Sequence, residues 1–182
     1  MKNYHTQART EWESFEYGGK PYPLTHLRAH EVVYKGQKDT YKFVVTYSLH
    51  CFAKDNQEHS IPLTYSDSRE TRQINLERYH ASKKLRGIIE KLDTKGKLVY
   101  ETDTEKCFNI ELMNSLNQKK EPYKICFHFF KENRMLRIHV TSAFFDRENK
   151  EILNKSYSVF KIAMDTKKRP KHKGVPKEAC NK

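Results

Sequence analysis

The chain has 182 residues and a formal net charge of +12, and it is 36% hydrophobic, 32% charged and 12% aromatic. The charge excludes a membrane protein, and the aromatic content excludes a disordered one. No apolar run reaches the ~18 residues of a transmembrane helix, residues 1–16 are too polar for a secretory signal, and four dispersed cysteines make no disulfide scaffold.

Residues 1–26 read as an irregular segment, broken by Gly18-Gly19 with Pro21 and Pro23. A single domain is expected over 27–164. Residues 41–53 carry a clear strand pattern: Tyr41, Phe43, Val45, Tyr47, Leu49 and Cys51 alternate with more polar neighbours. The polar run 63–72 leads into a helix over 73–92, which Ser66, Asp67 or Ser68 can cap. Ile74, Ala81, Leu85, Ile88 and Leu92 form its apolar seam, and Arg78 lies on the same seam. Strands follow at 97–102, 105–113, 123–130, 135–145 and 157–164. The fold class expected from this order is α+β: an antiparallel sheet with one principal helix on one face and a basic C-terminal tail.

The tail is expected at 165–182, flexible in character. It holds seven basic residues against two acidic ones, a surplus of +5, which leaves +7 for residues 1–164. The body is therefore basic in its own right, and a polyanion is the natural partner. No basic amphipathic helix with bulky apolar anchors is visible, so a membrane surface is not expected. Without an export signal the cysteines read as reduced thiols of a cytoplasmic protein.

A four-residue loop at 131–134 would set Phe130 opposite Met135, His128 opposite Arg137, Cys126 opposite His139 and Lys124 opposite Thr141. His128, Arg137 and His139 then share one open polar sheet face, which His50 and Glu111 join if their strands are neighbours. That set has the parts of metal-independent RNA cleavage. Glu111 or His50 would serve as the base, His139 as the acid, and Arg137 would stabilise the phosphorane charge. An ordinary solvated face explains the same residues and is the reading favoured over catalysis. Cys126-x-His128 with His139 and Cys107 is a set a structural zinc could use, but the paired spacing of zinc sites is missing, and neither metal nor other cofactor is expected.

The segment Tyr65-Ser-Asp-Ser-Arg-Glu-Thr-Arg72, the pair Arg78-Tyr79, Ser142-Ala-Phe144 and the strand Tyr47-Ser-Leu-His-Cys-Phe52 carry a resemblance. Over 41–147 the chain resembles bacterial and prophage-borne proteins labelled heat-shock or stationary-phase growth-adaptation protein. The run Cys107-Phe-Asn-Ile-Glu111 departs from the Asn-Phe-x-x-x-Glu order of those proteins. The resemblance implies a bacterial mobile-element setting and carries over no catalytic residue.

The function expected is nucleic-acid binding in a bacterium or phage, RNA ahead of DNA, with a toxin-type ribonuclease activity as the catalytic option. Arg69, Arg72, Lys83, Lys84, Lys124, His128, Lys167, Lys168, Arg169 and Lys171 are the expected nucleic-acid contacts. The alternative is a non-enzymatic module that docks on an acidic protein partner in a phage–host or defence complex.

Overall fold

The computed structural model describes residues 10–102, 105–148, 155–170, 175, 176 and 179. Gly18 and Gly19, at φ +58° and +70°, turn a short hairpin of β1 (Phe15–Tyr17) and β2 (Lys20–Tyr22). Then come β3 (His30–Lys35) and β4 (Thr40–Tyr47), followed by a second hairpin, β5 (Ser60–Ser66) and β6 (Thr71–Asn75). Helices α1 (Leu76–Ser82) and α2 (Leu85–Glu90) follow it. Four strands come next: β7 (Val99–Glu101), β8 (Lys106–Asn114), β9 (Lys119–Glu132) and β10 (Met135–Phe145). The described elements close with β11 (Lys155–Tyr157) and α3 (Val159–Lys168).

The expected α+β class is corrected. Strand dominates the described residues, and the main sheet has seven strands in the order β11-β7-β8-β9-β10-β4-β3. It is mixed, because β10 runs parallel to β4 while its other pairs are antiparallel. Local sequence order shows hairpins but not the pairing of strands some 90 residues apart, so the parallel junction was invisible to it.

The single helix over 73–92 is also corrected. Residues 71–75 are strand, because Asp67 turns the β5–β6 hairpin instead of capping a helix. Its Oδ1 accepts from Arg69 N at 2.8 Å and Glu70 N at 2.9 Å. The helix cap is Asn75, whose Oδ1 accepts from Arg78 N at 3.0 Å. After one short helix, Ser82 Oγ donates back to Tyr79 O at 2.7 Å, and the path breaks at Lys83-Lys84 before α2 resumes.

Of residues 157–164, expected as strand, only Tyr157 is strand, and Val159 onward is α3. Ser158 caps it by accepting from Lys161 N, and Val159, Ile162, Ala163 and Thr166 are buried at helical spacing. The helix runs on to Lys168, past the expected start of the tail, and further along Val175 and Ala179 pack on Phe130. No helix among the described residues is long and apolar enough to cross a membrane.

One face of the main sheet makes the core. Tyr34, Tyr41, Phe43, Val45, Phe127, Phe129, Ile138 and Val140 are all buried on it. Burial of these eight side chains, at roughly 1.5–3 kcal/mol each, is a large stabilising contribution. Tyr34 anchors α2 there by donating to Ile89 O at 2.8 Å. The opposite face carries the polar residues that follow.

Candidate functional site

A two-residue turn at Asn133-Arg134 joins β9 to β10, with Asn133 at φ +52°. The register is therefore two residues tighter than a four-residue loop gives: Arg137 lies opposite Phe130 and His139 opposite His128. A shift of two keeps every side chain on its expected face. Past Val140 the register slips by one residue at Thr141, and Ser142, not His139 or Thr141, stands opposite Cys126.

Strand pairing stacks this face in rows. One row holds His128 on β9, His139 on β10 and Thr46 on β4. The next holds Cys107, Cys126 and Ser142, and the one after it Asn109, Lys124 and Phe144. The face is not the open surface expected for it. His139 is 2% exposed, and Cys107, Cys126, Lys124, Arg137 and Thr46 are also buried. His128, Asn109, Thr141, Ser142 and Phe144 form a half-buried rim.

Burial sets the chemistry here. His139 Nδ1 lies 2.9 Å from Thr46 Oγ1, and its Nε2 has no hydrogen-bond partner. Desolvation first, then the charges of His128, Arg137 and Arg69, push its pKa down to about 3. Arg137 forms an ion pair with Glu132, both side chains being buried. Lys124 turns its ammonium to Asp146 at 3.9 Å.

At the end of β4, Ser48 accepts from His50 N and starts a 3-10 turn, Leu49–Cys51, where the strand had been expected to run on. His50 Nε2 lies 2.8 Å from Glu70 Oε1. Glu70 also holds Arg72 Nε at 2.7 Å, and Arg72 Nη1 reaches Asp55 at 2.6 Å. Arg78, the polar residue on the expected seam, is buried. Its Nη1 donates to His50 O at 2.8 Å and its guanidinium sits 5.1 Å from the Phe144 ring centre.

The four residues expected to act together do not converge. Glu111 is exposed and stands opposite Pro122, six residues along β9 from the partner of His139, roughly 20 Å at the rise of a strand. Arg137 is committed to Glu132, and His50 to Glu70. Among the expected nucleic-acid contacts, Lys83, Lys84, Lys167 and Lys168 are exposed, while Arg69, Arg72, His128 and Arg169 are half-buried. Lys124 is buried. Lys171 lies outside the described residues.

The sequence pattern did not single out Glu105. Two hydrogen bonds hold it at the head of β8: Thr102 N donates to Glu105 O at 2.9 Å, and Glu105 N donates to Thr102 Oγ1 at 3.1 Å. The Thr-x-x-Glu spacing was the one signal for it. Glu105 Oε2 accepts from Thr141 Oγ1 at 2.6 Å, an approach made by the residue at the β10 bulge.

A second polar cluster lies at the break between α1 and α2. Lys83 Nζ sits 4.5 Å above the Tyr79 ring, which also meets Tyr22, His26 and His80 edge-on. The pKa of His26 is lowered to about 4, by burial first and then by Lys83; that of His80 is lowered by the same two causes.

Comparison with known proteins names the family. The YjaZ family matches residues 14–167. Protein YjaZ of Escherichia coli (strain K12) is 31% identical over 168 residues, covering 86% of this chain and 91% of that protein. No solved structure matches. The expected resemblance to heat-shock or stationary-phase growth-adaptation proteins is corrected by the match to YjaZ. The chain belongs to the YjaZ family.

Proposed function

We propose that this member of the YjaZ family binds nucleic acid, RNA ahead of DNA, and that the cluster around Tyr79 and Lys83 is its principal contact. The observation that carries the reading is the distribution of charge. Acidic side chains are drawn into ion pairs: Glu70 and Asp55 with Arg72, Glu77 and Glu121 with Arg147, Glu132 with Arg137, and Glu101 with Lys106. Lys83, Lys84, Lys167 and Lys168 point outward, on a chain of net charge +12.

Cations interleaved with ring faces suit a single strand, whose phosphates meet the lysines while unpaired bases stack. Tyr79 itself is buried and serves to position Lys83, while Tyr22, His26 and His80 around it are half-buried, so the exposed parts of those three rings are what a base would meet. Binding rather than cleavage is the activity proposed, because His139 is buried and Glu111 is remote from it.

The test is binding of the full chain to labelled single- and double-stranded RNA and DNA in EDTA, read on native and denaturing gels. A shift of intact single-stranded RNA, weakened at least tenfold by Lys83→Glu with Lys84→Glu, supports the reading. No shift at low salt overturns it and turns attention to an acidic protein partner. Cleaved RNA in EDTA would replace binding by nuclease activity.

A further inference from the structure

We propose that Cys107, Cys126, Glu105 and His128 form a zinc site across β8 and β9. The two thiols are direct cross-strand partners, with Sγ atoms 3.3 Å apart, and both are buried. The ligand atoms of Glu105, Cys107 and Cys126 all lie within 4.8 Å of one another. His128 follows Cys126 on the same strand face, and its Nε2 lies 3.8 Å from Glu105 Oε2. Two sulfurs and one carboxylate oxygen are already gathered, and the His128 nitrogen beside that carboxylate would complete a four-donor set of the type zinc takes up in tetrahedral sites.

Backbone order makes the set possible. Cys107 and Cys126 are fixed by the β8–β9 register, and alternation returns His128 to their face two residues later. The hydrogen bond from Glu105 N to Thr102 Oγ1 fixes Glu105, and the Thr141 hydroxyl orients its carboxylate from outside the set. Next to His128 lies His139, whose buried Nε2 lacks a partner while Nδ1 meets Thr46.

Access is from the rim. Glu105 and His128 keep about a quarter of their side-chain surface exposed, while the sulfurs lie beneath. On binding, each thiol gives up its proton to solvent and forms one Zn–S bond, while the carboxylate and the neutral imidazole bind without losing a proton. No electron is transferred, and no oxidant is needed.

The experiment uses the full chain, reduced and stripped with chelator, then titrated with Zn²⁺ and separately with Co²⁺. The expected result is one metal per chain, with thiolate-to-cobalt charge-transfer absorption and the intense visible bands of a tetrahedral site. Cys107→Ser and Cys126→Ser should abolish the charge-transfer band or halve it, and Glu105→Gln and His128→Ala should weaken zinc by about 10- to 100-fold. If the cysteine variants fail to fold, the cobalt spectrum of the unaltered chain decides. Absence of the thiolate band overturns the site, as does equal zinc uptake by the Glu105→Gln and His128→Ala variants. Formation of a Cys107–Cys126 disulfide with no metal uptake by the reduced chain also overturns it, in favour of a redox pair. None of these readouts involves nucleic acid, so the site stands or falls independently of the proposed binding activity.

Discussion

His139 and Thr46 meet across the one parallel junction of the main sheet, Nδ1 to Oγ1 at 2.9 Å, with the imidazole 2% exposed. The contact satisfies one ring nitrogen and leaves Nε2 without a partner. It joins β4 to β10 by a side chain as well as by the backbone, at the place where strands distant in sequence are brought together. A histidine so placed is neutral in the folded state.

Acid should therefore destabilise the fold well above the carboxylate range. His139 holds a pKa of about 3 against an ordinary 6.5, and His26 about 4. Between those values and 6.5 the unfolded chain binds more protons than the folded one, so stability falls as pH drops from 6.5. For His139 alone the loss on going from pH 7 to 5 is about 2 kcal/mol. Urea midpoints at the two pH values measure it, and His139→Gln should reduce the difference. An equal difference in that variant would assign the acid sensitivity elsewhere.

The Arg137–Glu132 pair gives a second expectation. Both side chains are buried at the β9–β10 turn, so removing one charge leaves the other buried without its opposite charge in the pair. Glu132→Gln should cost about 3–5 kcal/mol, whereas Glu132→Leu combined with Arg137→Met should recover most of that loss. Denaturant unfolding of Glu132→Gln and the double variant decides it. A double variant as unstable as Glu132→Gln would show that the charges, not their mismatch, hold the turn.

Strand periodicity was the most legible part of the sequence. Alternation marked β4, β8, β9 and β10, and it assigned His128, Arg137, His139, Cys126 and Lys124 to one face despite a register two residues off, because side-chain direction repeats every two residues. Coverage of that face was not legible. Burial of His139 and Arg137 depends on elements distant in the chain, and no local pattern reports it. Asp67 was a misleading signal, since an aspartate before a polar run suits a helix cap and a hairpin turn equally well. In α3 the buried spacing of Val159, Ile162, Ala163 and Thr166 was present but was read as strand because the segment is short and rich in apolar residues.

If Lys83 and Lys84 each neutralise a phosphate, their removal should change salt dependence as well as affinity. For a single strand the slope of log K against log salt falls by about 0.7 for each phosphate no longer neutralised. Lys83→Gln with Lys84→Gln should thus lower the slope by about 1.4. Anisotropy titrations with a short RNA across a salt series measure it. Weaker binding at an unchanged slope would mean that the two lysines act through local structure, by way of Tyr79 under the Lys83 ammonium.

The β9–β10 turn sets the register of every row on the polar face, and it depends on one residue in an unusual conformation. Asn133 holds φ +52°, which asparagine and glycine accept and β-branched residues resist. Asn133→Gly should leave stability within about 0.5 kcal/mol, while Asn133→Val should cost about 1–2 kcal/mol. The more informative readout is register. If the valine variant relaxes to a longer loop by slipping one residue, His128 moves to the core face and Phe127 to the polar face. Amide exchange and cross-strand contacts by NMR would then differ along the whole of β9. A variant that is less stable but keeps His128 opposite His139 would show that packing of Phe127, Phe129, Ile138 and Val140 holds the register even when the turn resists it.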